Sequence, residues 1–139
     1  MSGINIGGVV KGGLLAGLII NISETILNVP VLGAQMDAAM AELNVAPVGG
    51  AAIAIFVVMG FAVGLLTLWL YAAVRPRLGP GPKTAICVGL IVWTLFALFP
   101  SVSLVALGFF PAGLIAVACV WTLVEIPLAT VAGAWVYRE

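Results

Sequence analysis

The stretch from Val48 to Val74 reads VGGAAIAIFVVMGFAVGLLTLWLYAAV and contains no charged side chain. A helix of about 20 predominantly apolar residues is long enough to cross the hydrocarbon core of a bilayer. Trp69 and Tyr71, near the end of the stretch, are the residue types that concentrate where hydrocarbon meets water. The stretch therefore predicts a transmembrane helix.

Three further stretches meet the same requirement and predict helices over about 6–29, 84–100 and 111–137. Residues 1–139 are thus predicted to form a single all-α domain, an integral membrane bundle of four transmembrane helices. Pro30 follows the first span, and Pro100 is expected to break or kink the third, because proline lacks an N–H and clashes with the preceding turn. Residues 101–110 are uncharged and apolar, so they are expected to lie at the interface or to dip partly into the membrane.

Composition supports the membrane assignment. Hydrophobic residues make up 64% of the chain and charged residues 7%, whereas ordinary soluble domains are roughly 45–50% apolar. A cleaved signal peptide is the competing interpretation of the first span, but Asn21, Glu24 and Asn28 are too polar for the apolar core of such a peptide. Cys87 and Cys119 lie inside apolar runs and are expected to be small apolar fillers rather than a disulfide.

Two connections have recognisable character. Residues 34–44 place apolar side chains at helical spacing, with Asp37 and Glu42 away from that stripe, which predicts a short amphipathic helix on the membrane surface. A plain ordered loop is the alternative. Residues 75–83 contain three prolines and two glycines, which predicts a stiff, tight turn that continues neither neighbouring helix.

The basic residues all fall on one side of a four-span arrangement: Lys11, Arg75, Arg77, Lys83 and Arg138. Asp37 and Glu42, in the first connection, fall on the other side. Lysine and arginine are enriched on the cytoplasmic side of membrane proteins. Both termini are therefore predicted to be cytoplasmic, with the chain in a bacterial inner membrane.

Polar residues inside the apolar spans mark the candidate functional site. Asn21, Glu24 and Asn28 are three and four residues apart and therefore share one face of the first helix. Glu125 lies near the middle of the fourth span, two residues before Pro127, which tends to kink the helix and to free a backbone carbonyl. An ionised carboxylate at mid-membrane costs roughly 2.5–3.5 kcal/mol on insertion scales, so two in a short chain require a reason.

The two glutamates are expected at different depths but along one polar seam between the first and fourth helices. Lys11 should snorkel to the inner interface, so hydrogen-bonding groups rather than a basic residue are expected beside them. The predicted seam comprises Asn21, Glu24, Asn28, Thr94, Thr122 and Glu125. Three roles are open for it: a structural contact between helices or subunits, a proton or ion pathway, or the binding of a lipid headgroup or other amphiphile.

Glycines supply the predicted helix contacts. Gly13 and Gly17 continue the polar stripe of the first helix toward the N-terminus, and Gly60 and Gly64 show the same four-residue spacing in the second span. Small residues at this spacing let two helix backbones approach closely. Gly13, Gly17, Gly60, Gly64 and Pro127 are therefore predicted to shape helix packing.

The chain resembles a set of small uncharacterised bacterial inner-membrane proteins with four helices. The resemblance covers nearly the whole chain and is carried by AGLIIN at 16–21 with Glu24 and Asn28, by YAAVRPR at 71–77 with GPGPK at 79–83, and by VEIP at 124–127. It implies the four-helix layout and brings no activity, cofactor or mechanism with it.

The sequence favours a non-catalytic membrane protein that acts as a subunit, an accessory component or a homo-oligomer. The glycine-lined faces suit association with other membrane helices. A small proton- or ion-coupled channel or transporter using Glu24 and Glu125 is the alternative. An enzyme is disfavoured because the chain has no histidine and no catalytic constellation. No cofactor is expected, and the zero net charge gives no reason to expect a nucleic-acid partner beside the lipid bilayer.

Overall fold

The computed structural model describes residues 3–138, and its regular structure is entirely helical. The helices are α1 (Ile6–Ile26), α2 (Gly33–Glu42), α3 (Gly50–Leu78), α4 (Pro82–Trp93), α5 (Phe99–Ala106) and α6 (Ala112–Val136). A π-helical turn extends α1 over Leu27–Val31, and another joins α4 to α5 over Thr94–Leu98. Four continuous helical rods result, each long and apolar enough to cross a membrane. The all-α prediction is confirmed.

The predicted limit of the third span at residue 100 is wrong, and of the break or kink expected near Pro100 the helix shows no break. The helix passes Pro100 and ends at Ala106, so part of the segment expected at the interface extends the rod. The reason lies in the π-helical turn just before the proline, where the N–H of Phe99 donates to the carbonyl of Thr94, five residues back. This wider turn accommodates a residue that cannot donate. The helix accommodates Pro30 in the same way, since the N–H of Leu32 donates to the carbonyl of Leu27, five residues back, at 2.8 Å.

The connection after α3 is shorter than predicted. Instead of ending at Val74, α3 continues through Pro76 to Leu78, because a proline in the last turn forfeits only one backbone hydrogen bond. The chain reverses at Gly79 and Gly81, whose φ angles of 85° and 117° are ones that only glycine adopts readily. The hydroxyl of Thr84 donates to Gly79 O at 2.7 Å and fixes the turn.

Between α1 and α3, glycines replace side chains at the crossing. A Cβ on Gly64 would lie 2.5 Å from the backbone nitrogen of Gly17, and one on Gly13 would lie 2.8 Å from Leu65 Cα. Gly60 faces the side chain of Asn21 in the same contact. Each glycine is thus needed for two backbones to approach at this distance.

Two more close approaches hold α6 in the bundle. A Cβ on Gly12 of α1 would lie 2.5 Å from the carbonyl oxygen of Gly133, a contact that was not predicted. On the other side of α6, a Cβ on Gly89 would lie 2.7 Å from Pro127 Cα. Leu68 of α3 is fully buried and lies beside both Gly12 and Gly133. The helix α1 therefore packs between α3 and α6, while α4 packs on the far side of α6.

One end of the bundle gathers three distant parts of the chain. The backbone N–H of Asn5 donates to the hydroxyl of Tyr137 at 3.2 Å, and that of Gly81 donates to the hydroxyl of Tyr71 at 3.1 Å. The two tyrosine rings meet edge to face with centroids 6.0 Å apart, and the guanidinium of Arg75 lies 5.5 Å from the Tyr137 ring centroid. The start of α1, the α3–α4 turn and the end of α6 thus share one end.

Candidate functional site

A polar cluster forms where α1 crosses α6. Ser23 and Glu24 come from α1, and Trp121 and Glu125, one helical turn apart on the same face, come from α6. The indole N–H of Trp121 donates to the hydroxyl of Ser23 at 2.9 Å, although the two residues are 98 positions apart in the sequence. This cross-helix hydrogen bond fixes the relative height of the two helices and brings the two glutamates to the same level.

Glu125 is the most buried carboxyl of the cluster. It is 5% exposed, and its side chain neighbours are Ser23, Glu24 and Trp121. Its Oε2 atom is buried and makes no hydrogen bond. A buried acceptor without a donor costs about 1–3 kcal/mol, so this oxygen needs a proton or another group beside it.

Asn28, one turn further along the first helical rod, holds the side chain of Glu24. The side-chain amide of Asn28 donates to Glu24 Oε2 at 2.7 Å and to the Glu24 backbone carbonyl at 2.9 Å. Glu24 is only half-buried and lies beside Glu125. Two carboxyls that are far apart in the sequence therefore meet, one fixed by an amide and the other with a free oxygen.

Basic side chains lie far from this pair. At 1.5 Å of helix rise per residue, Lys11 lies about 20 Å from Glu24 along α1. Arg75 is packed on Tyr137, at the end of α6, which is about 18 Å from Glu125 along that helix. Among the residues that the structure describes, neither glutamate has a lysine or arginine as a recorded neighbour. Any negative charge on the pair is therefore not balanced by a basic side chain of this part of the protein.

A groove of about 720 Å³ runs along the outside of the bundle between α1 and α6. Its polar lining consists of Ser23, Trp121 and Glu125, whereas Glu24 is not among the lining residues. The remaining lining is apolar: Ile19, Ala116, Val117, Val120, Val124 and Leu128. Most of these apolar side chains are exposed, so the groove opens sideways from the bundle, with Glu125 in it.

The other residues of the predicted seam, Asn21, Thr94 and Thr122, form their hydrogen bonds with groups other than the two carboxyls. Asn21 donates to Val57 O on α3 at 3.2 Å and to Gly17 O at 3.0 Å, so it serves the glycine crossing. Thr94 donates to Leu90 O at 2.8 Å. Thr122 donates to its own helix and accepts from the indole of Trp93 on α4 at 3.2 Å. Helical hydroxyls satisfied by a preceding carbonyl have no need to reach the carboxyls.

Ser23 and Trp121 were not predicted as site residues. Their positions did carry a signal: Ser23 directly precedes one glutamate, and Trp121 stands one helical turn before the other. Serine and tryptophan are common in membrane helices, however, so neither stands out by type. Only the packing of α1 against α6 shows that they bond to each other.

Comparison with known proteins adds no relative from which a function could be transferred. No family model, no curated protein and no solved structure matches this chain.

Proposed function

We propose that this chain is a multi-pass proton channel or transporter of a bacterial inner membrane, in which Glu24 and Glu125 carry protons across the bilayer. The observation that supports this most is the meeting of these two carboxyls beside a laterally open groove. Intramembrane carboxyls are expensive and commonly mark proton or ion pathways. Among the described residues no lysine or arginine neighbours the pair, so a proton or another cation has to neutralise it.

The glycine faces no longer favour association with a partner. Gly13, Gly17, Gly60 and Gly64 are all used where α1 crosses α3 within one chain. They therefore give no independent reason to expect a second protein. The purely structural subunit therefore loses its main support, and a function carried by the polar site is favoured instead.

A non-catalytic subunit, accessory component or homo-oligomer is the second candidate. The observation that favours it is the row of exposed valines along α6, Val117, Val120 and Val124, which recurs at helical spacing in the groove. Another apolar helix could lie against such a row. Purification in mild detergent tests this: a stable homo-oligomer or a co-purifying membrane protein supports it, and a monomer without a companion contradicts it.

The proton-coupled function predicts a flux that depends on Glu125. In liposomes with an entrapped pH-sensitive dye and an imposed membrane potential, the wild-type protein should carry protons inward. Glu125→Gln should reduce the rate by at least about a hundredfold, the typical contribution of a positioned proton-transfer group. Glu42→Gln, a change of an exposed glutamate on α2, is the matched control and should leave the rate unchanged. An absent wild-type flux, or one that Glu125→Gln does not alter, contradicts the function.

We also propose that both termini face the cytoplasm. The five basic residues fall at the side shared by the termini and the α3–α4 turn, and the hydrogen bonds of Asn5 and Gly81 to Tyr137 and Tyr71 gather these segments at one end. The positive-inside tendency places that end in the cytoplasm.

Reporter fusions test the orientation. A fluorescent protein fused after the last residue should be bright and alkaline phosphatase at the same site inactive, because each reporter matures on only one side of the inner membrane. Fusions after Asn44, beyond α2, should give the reverse pattern. The same pattern at both sites would contradict the three spans that lie between them.

A further inference from the structure

We propose that the groove between α1 and α6 is a binding site for a lipophilic organic cation that enters from the bilayer. The proposal rests on the proposed role of Glu24 and Glu125 as the working carboxyls, but binding can be measured without transport. Size, wall chemistry, charge and access each contribute to it.

The groove has the size and wall chemistry of a small-molecule site. Its volume of about 720 Å³ lies within the range of roughly 300–1,000 Å³ typical of ligand pockets. Most of its lining is aliphatic, with Val120 and Leu128 62% and 61% exposed. A ligand must therefore present a mostly apolar body to these walls.

The polar part of the groove selects for positive charge. Glu125 lines it with a buried Oε2 that makes no hydrogen bond. A second carboxyl, that of Glu24, is a direct neighbour of Glu125. Two ionised carboxyls this close would repel strongly in a low-dielectric setting, so a proton or a cation has to neutralise at least one of them. A cation placed against Glu125 would relieve that repulsion and supply the partner that the described residues do not.

Trp121 adds a second attraction for a cation. Its indole lines the groove one turn from Glu125, and its N–H is already donated to Ser23. A cation over an indole face is attracted by the electron-rich ring. A neutral or anionic molecule of the same size would gain nothing from this ring beyond apolar contact.

The groove is open along the side of two helices that are each long enough to span a membrane. A molecule that partitions into lipid can therefore reach it without crossing the bundle. Binding exchanges one cation for one proton: the carboxylic acid releases H⁺, and the carboxylate so formed pairs with the organic cation. Among the described residues, Glu24 is the one titratable group recorded beside Glu125 from any packed helix.

A matched pair of ions tests the proposal. Tetraphenylphosphonium and tetraphenylborate have nearly the same size and shape and opposite charge, so partitioning into detergent alone cannot explain a difference in saturable binding. By equilibrium dialysis against the purified full-length protein in detergent, the phosphonium should bind saturably and the borate should not. Phosphonium binding should weaken as the pH falls, since protons compete for the same carboxyls.

Two variants assign the binding to the groove. Glu125→Gln and Glu24→Gln should each weaken phosphonium binding by at least about tenfold, as expected when one partner of a buried charge contact is removed. Glu42→Gln should bind like the wild type. Equal binding of both ions, non-saturable uptake of the phosphonium, or wild-type affinity in either glutamate variant would overturn the proposal. Phosphonium binding without proton flux would sink only the transport function, and flux without phosphonium binding would sink only this inference.

Discussion

Replacing Gly64 by alanine should destabilise the folded bundle by about 1–3 kcal/mol, the usual cost of forcing an extra group into a packed interior. The new Cβ would lie 2.5 Å from the nitrogen and 2.8 Å from the Cα of Gly17. These are backbone atoms, which cannot rotate aside as a side chain can, so α1 and α3 must separate. Gly64→Leu should prevent stable folding. The measurement is the loss of helical circular dichroism as sodium dodecyl sulfate replaces a mild detergent.

Gly113 supplies the control for that experiment. It lies in the first turn of α6, and a Cβ there would meet nothing within 4 Å. Alanine has a better helix propensity than glycine by roughly 0.8–1.0 kcal/mol, so Gly113→Ala should be neutral or slightly stabilising. Equal losses for the two variants would mean that the α1–α3 crossing is not the close contact described above.

The glycine crossings show how far the sequence can predict packing in a membrane bundle. The spacing of Gly60 and Gly64 marks a surface for close approach, and so does that of Gly13 and Gly17. The contact of Gly12 with Gly133 could not be foreseen in this way. Lipid-facing and core-facing sides of such helices are both apolar, so the pattern of hydrophobic residues does not indicate which helices are neighbours.

The prolines mark a limit of a different kind. A rule that proline ends a helix places the boundaries of spans near Pro30, Pro76 and Pro100. In the structure all three lie within helical rods, Pro30 inside a π-helical turn and Pro100 two residues after one. Whether a proline ends a helix or is absorbed depends on the hydrogen bonds of neighbouring residues, which single-residue preferences do not contain.

The carboxyl site could be predicted in part. A glutamate in an apolar span is conspicuous because of its insertion cost, and this draws attention to Glu24 and Glu125 regardless of how the helices pack. The threonines of the predicted seam lack that cost, because each hydroxyl can bond to its own helix, as Thr94 does. Little in the sequence therefore required these threonines to lie beside the glutamates. In the structure Thr122 bonds to Trp93 of α4, and Thr94 bonds to its own helix.

Glu125→Gln should make the folded protein more stable, by about 1–3 kcal/mol, while removing proton flux. The side chain keeps its shape, and its amide can donate to Glu24, so an ionisable group with an unpaired oxygen becomes a neutral one with a donor. An acceptor left without a partner in the interior costs that much. Glu42→Gln, on the exposed surface of α2, should change stability by no more than about 0.5 kcal/mol.

The sign of this change separates the two candidate functions. If Glu125 holds α1 and α6 together as a structural contact, its removal should lower resistance to sodium dodecyl sulfate, as breaking a satisfied buried network does. If the carboxyl instead serves to bind a ligand or a proton, it lowers the stability of the folded protein. Removing it should then raise the resistance to sodium dodecyl sulfate. Circular dichroism in mixed micelles measures this without knowledge of the ligand. A more stable, inactive Glu125→Gln protein is the expected result, and a less stable one would return Glu125 to a structural role.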